Sequence, residues 1–280
     1  QPSTRGGGFF AGLRGRSSAV FLLITFTLGL LSGYLLRGWI PGPASQAGAQ
    51  NPEKPLSLRE QITPAEGFRL PVSLGAIGPQ LLAAGAIDYD RFVRLYEQAG
   101  APLTDQQLAL LTLGSQESIV IRADNARFLL NLLWAFGLTN RNPVLENGPM
   151  MTYGQNGVGG FASTGGWTLG TRPATELYAS AEMVPLTPEQ QARLEEVAAA
   201  VYRPCCNNPT LFPDCNHGMA MLGLLELMAA QGASVDQMFE AAKYVNAFWF
   251  PQPALELAAY FQATQDKSFA EVDARQVVGV

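Results

Sequence analysis

The only cysteines and the only histidine in this sequence, Cys205, Cys206, Cys215 and His217, fall within thirteen residues in the string Pro-Cys-Cys-Asn-Asn-Pro-Thr-Leu-Phe-Pro-Asp-Cys-Asn-His-Gly-Met. Thiolate and imidazole are the ligands that soft and borderline transition metals take up, so the clustering itself points to chemistry. Three chemistries fit. In the first, two or three thiolates and His217 hold zinc or copper, with the thioether of Met219 or Met221 as a further donor. In the second, Cys215 is a reactive thiol activated by a helix end and by His217, with Cys206 or Cys205 as its resolving partner. In the third, Cys215 pairs with Cys205 or Cys206 in a disulfide that closes a loop of about ten residues, which leaves one thiol and the histidine unexplained.

The spacing constrains each of these. No C-x-x-C knuckle and no C-x-x-C-H haem attachment occurs. Neighbouring side chains in an extended chain point to opposite sides, so Cys205 and Cys206 make an awkward pair. Residues two apart on a helix do not face each other, which counts against direct contact between Cys215 and His217. Asp214 reads as a helix cap or as an outer partner that orients the histidine, and Glu226 as a solvated helix residue.

The elements that position the cluster are helices. Pro204 ends one, Asn207-Asn208-Pro209 turns the chain, and Asp214 to Gly218 opens the next. Cys215 thus stands at a helix N-terminus, where unpaired N–H groups and the helix dipole favour a thiolate. Thr187-Pro188-Glu189-Gln190 starts a helix that runs to about Tyr202, and Met219 to Ala230, Val235 to Phe248 and Ala254 to Thr264 follow, each bounded by Gly or Pro. Upstream, Asp88 caps a helix to Gln98, and Thr104 with Gln107 forms a capping box. Asn125 to Gly137 is apolar on most sides and reads as a central buried helix ending at Gly137. Strand-like alternation is scarce. Tyr244, Phe248, Trp249 and Phe250 have helical spacing and read as core.

One stretch departs from this pattern. Asn147 to Arg172 carries eight glycines and little helical periodicity, as expected for a long Gly-rich loop. Its Gly157-Val158-Gly159-Gly160 echoes a dinucleotide fingerprint, but no strand leads into it. Phe161 to Thr168 forms either a packed loop or one that offers hydroxyls and an indole to a ligand. Ser163 has no second histidine to activate it, which argues against a serine hydrolase.

The run Ser17–Leu36 is twenty residues without a charge. A helix of that length rises about 30 Å, the thickness of a bilayer core. Arg5, Arg14 and Arg16 precede it, and only Arg37 follows before Lys54, so the positive-inside bias keeps the N-terminus in the cytoplasm and sends the rest across the plasma (inner) membrane. Gly29 and Gly33 have the GxxxG spacing of a helix-packing face. The alternative is a signal peptide cleaved after Ala49, against which the length of the run argues.

These readings define a mainly α chain: a cytoplasmic segment 1–16, a transmembrane helix 17–37, a Pro/Gly/Ser-rich tether 38–57, and an extracytoplasmic domain 58–280 of about seven helices. A net charge of −5 and the absence of a basic cluster in the exported part exclude a nucleic-acid surface. Function divides between a membrane-anchored protein that uses Cys205, Cys206, Cys215 and His217 for metal or thiol chemistry, and a non-enzymatic accessory subunit in which a disulfide only ties the loop.

Overall fold

The computed structural model, described over residues 56–155 and 157–279, is mainly helical. The expected cytoplasmic segment and transmembrane helix, with Gly29 and Gly33, lie outside the described residues. Among the described residues no helix is long and apolar enough to cross a membrane.

In chain order the domain begins with α1 (Leu58–Ile62), β1 (Phe68–Gly75), α2 (Ile77–Ala83), α3 (Tyr89–Gln98), α4 (Asp105–Thr112) and β2 (Ser115–Ile121). It continues with α5 (Ala126–Thr139), α6 (Pro143–Asn147), α7 (Pro149–Tyr153), α8 (Ala162–Gly165) and α9 (Ala174–Leu177). The last part comprises α10 (Pro188–Ala200), α11 (Asn216–Ala230), α12 (Val235–Trp249), α13 (Pro251–Gln265) and α14 (Ala274–Val278). Local chemistry sets the starts. Asp88 accepts from the Arg91 N–H, and Thr104 with Gln107 and Thr187 with Gln190 form reciprocal capping boxes.

Strands are few, as expected: among the described residues the sheet is the single antiparallel pair β1–β2. Leu70, Val72 and Leu74 alternate inward along β1, and Pro71 falls at a break in register between Arg69 and Ser73, where a proline is tolerated because no ladder N–H is required. On the outer side, the Gln231 side chain accepts from the Ser73 N–H at 2.9 Å and donates to the Ser73 carbonyl at 2.8 Å.

α5 and α11 form the centre, both buried along almost their whole length. They approach closely through Gly137 and Gly223: a Cβ on Gly137 would lie 2.1 Å from the Met219 carbonyl oxygen, and one on Gly223 would lie 2.7 Å from that of Leu133. α5 therefore runs through Gly137 to Thr139 instead of stopping there, because the glycine provides a helix crossing and not a cap. A smaller cluster of Ile62, Tyr244, Ala247, Ala254, Ala258 and Phe269 joins α1, α12 and α13.

Glu226, expected at the surface, is fully buried on α11. Its Oε2 accepts from Asn140 Nδ2 at 3.0 Å, and Asn140 Oδ1 accepts from the N–H groups of Met183 and Val184. Burial pushes the Glu226 carboxyl well above the ordinary carboxylate range, outweighing the downward pull of the Asn140 bond. A raised carboxyl stabilises the fold fully below its unfolded value of about 4.3. That contribution is lost as pH climbs towards the folded value, at up to about 1.4 kcal/mol per pH unit. Glu226→Gln is expected to flatten the decline of the thermal midpoint as pH rises above about 4.3; an unchanged slope would assign the decline to other groups.

The Gly-rich segment is a packed structure and not a long loop. It holds α7, a 3-10 turn at Val158–Gly160 and α8. Trp134 donates to the Ser163 carbonyl and Trp167 to that of Ala86, the two indoles meeting edge to face at 4.9 Å. Ser163 and Thr164 are fully buried and the Trp167 indole is spent on Ala86, so between Phe161 and Thr168 only Thr168 carries its hydroxyl on an exposed residue.

Candidate metal centre

The chain leaves α10 at Ala200, and the Tyr202 N–H donates to the Val278 carbonyl while Tyr202 bridges Pro209. A turn at residues 204–206 follows, and Asn207 closes it with φ +54°, a left-handed conformation that asparagine tolerates better than most residues. Because the two cysteines sit in a turn and not in an extended strand, their side chains do not diverge. Cys205 Sγ lies 3.6 Å from Cys206 Sγ.

Cys215 completes a triangle, 3.6 Å from Cys205 Sγ and 3.9 Å from Cys206 Sγ. It is the N-cap of α11, with φ −122° and ψ 167°, and its sulfur accepts from the Gly218 N–H at 3.4 Å. The helical spacing rule therefore does not bind it: Cys215 lies outside the helix, and His217 in the first turn is within reach. One ligand atom each from Cys205, Cys215 and His217 lies within 4.8 Å of the others, and Cys206, Cys215 and Asp214 form a second such trio that shares Cys215. The His217 ring packs against Phe250 at 4.4 Å and Trp249 at 5.7 Å, giving those aromatics a role beyond the core.

Arg203 lies beneath the sulfurs, 0% exposed. Its guanidinium donates to the carbonyls of Pro209 at 2.7 Å and Phe212 at 3.0 Å, to Asp214 Oδ1 at 2.5 Å and to Cys206 Sγ at 3.4 Å. Asp214 is thus the arginine's counter-ion and also accepts from Asn208 at 2.8 Å; the helix cap is Cys215. Gly218 makes room for this arrangement, since a Cβ there would stand 2.7 Å from the guanidinium carbon. Nothing in local sequence periodicity marks Arg203 or Gly218; the available signal is an arginine placed just before Pro-Cys-Cys.

The electrostatics favour anionic sulfur. The hydrogen bond from Cys205 does most to hold the Cys215 thiol far below its usual value; burial opposes this, and His217, Arg203 and the Gly218 N–H add to it. The same hydrogen bond, with burial, pushes Cys205 above the ordinary thiol range. Burial disfavours the Arg203 charge, but Cys215, Cys206 and Asp214 outweigh it and raise its pKa.

Three thiolates bound to one zinc at about 2.3 Å in tetrahedral geometry stand about 3.8 Å apart. The observed 3.6–3.9 Å triangle fits that face, and three thiolates suit copper(I) equally. Met219 is fully buried in the hydrophobic core, whereas Cys205 and Cys206 are exposed and Cys215 and His217 half-buried. A cavity of about 550 Å³ lined by Tyr96, Leu103, Gln107, Ser118, Arg122 and Phe128 shares no residue with the cluster.

No protein-family model, curated protein or solved structure matches this chain.

Proposed function

We propose that this is a membrane-anchored, extracytoplasmic protein that binds one transition-metal ion, zinc or copper(I), through Cys205, Cys206 and Cys215 with His217 as the nitrogen donor. The thiol triangle, with edges that match a tetrahedral metal face, carries this reading. The uncharged run Ser17–Leu36 and the arginines before it support the anchor, the plasma (inner) membrane location and the outward placement of the site, with Gly29 and Gly33 as the face for a neighbouring membrane helix. Asp214 acts at one remove, through Arg203.

Metal analysis of the purified full-length protein, combined with a free-thiol count, tests the proposal. Bound zinc or copper is expected, and Cys215→Ser is expected to weaken binding by more than the roughly 10–100-fold typical of losing an outer partner. The 3.6 Å approach of Cys205 and Cys215 supports a second reading, a disulfide in an accessory subunit of a membrane complex. Absence of metal together with a single free thiol would favour that reading and reject the metal centre.

A further inference from the structure

We infer that the ion at this centre is cargo, bound for transfer to another soft-ligand site, and not a folding element; the inference rests on the metal-binding reading above. Structural zinc sites contribute folding energy in place of a core, and their domains unfold without the ion. Here protein groups already hold the ligand loop. Arg203 ties Pro209, Phe212 and Asp214 together from beneath. Thr210 donates to the Val201 carbonyl through both its N–H and its hydroxyl, the Leu211 N–H donates to Ala198, and the Ser163 N–H donates to the Asp214 carbonyl. None of Cys205, Cys206, Cys215 or His217 belongs to the hydrophobic core, which is filled without them.

The exposure pattern gives the transfer a direction. Cys205 and Cys206 face solvent, while Cys215 is half-buried and fixed by the Gly218 N–H. An incoming thiolate or thioether can reach the ion from the side of the first two. As its sulfur bonds to the ion, the bond to Cys205 or Cys206 breaks, and the released thiolate takes a proton from water. The ion keeps its oxidation state throughout, so no oxidant or reductant is consumed. Cys215 is the last ligand to let go. The partner is therefore a protein or small thiol that offers soft donors in the same compartment.

The full-length protein in detergent is loaded with zinc or copper(I) and challenged with a chromophoric chelator, 4-(2-pyridylazo)resorcinol for zinc or bathocuproine disulfonate for copper(I). Hydrogen exchange of peptides covering residues 203–214 is followed before and after removal of the ion. Complete transfer to the chelator within minutes is expected, with exchange protection at Thr210 and Leu211 changed less than about threefold. Cys205→Ser is expected to speed release at least fivefold, with that protection kept. An ion retained for hours, or loss of protection over residues 203–214 on its removal, overturns the inference while leaving metal binding intact. Failure to bind either ion overturns both.

Discussion

Arg203→Met is expected to destabilise the domain by about 3–5 kcal/mol and to abolish ordered ligand geometry at the cysteines. The methionine keeps most of the stem volume but removes the buried charge that faces Asp214 and one donor each from the carbonyls of Pro209 and Phe212, which keep the N–H groups of Phe212 and Asp214. Asp214 is 22% exposed and can recover some hydration, which places the expected loss towards the lower end. At roughly 2–4 °C per kcal/mol for a domain of this size, the thermal midpoint should fall by about 6 °C or more. Arg203→Lys keeps the charge but loses the planar fork, and should recover only part of the loss. A methionine variant with an unchanged midpoint would show that the guanidinium does not organise the loop.

Gly137→Ala should be at least as damaging, by about 3 kcal/mol or more, although alanine is the better helix former by about 1 kcal/mol. The added Cβ meets the Met219 carbonyl oxygen 2.1 Å away, and that atom belongs to the backbone of α11, so no side chain can turn aside. The two central helices would have to separate, opening contacts among residues that are completely buried. Gly160→Ala is the control: nothing lies within 4 Å of its Cβ position, and its effect should stay within about 0.5 kcal/mol. Chemical denaturation of both variants decides the matter, and equal midpoints would remove the close crossing from the account.

What could be read from the sequence was what neighbours in the chain determine. Asp88, Thr104 and Thr187 sit three residues before the group whose N–H they accept, so their helices were legible. The clustering of Cys205, Cys206, Cys215 and His217 was legible as composition, but its geometry was not. Adjacent cysteines converge because they sit in the turn at residues 204–206, and Cys215 meets His217 because it lies outside the helix it caps. β1 carried its period-two signal in Leu70, Val72 and Leu74, masked by Pro71. Glu226 and Arg203 were opaque for a different reason. Their burial depends on partners far along the chain or beneath the fold: Asn140 in one case, the carbonyls of a folded-back loop in the other.

A ribbon of two strands has two outer edges, and each unpaired edge is a template on which a strand from another chain can add. On β1 that template is interrupted at Ser73, whose outward donor and acceptor are both taken by the Gln231 amide. The side chain imitates the hydrogen-bonding half of a third strand and ends there, so an approaching strand finds its register broken. One residue just past the end of α11 thereby protects the ribbon from edge-to-edge association without lengthening the sheet.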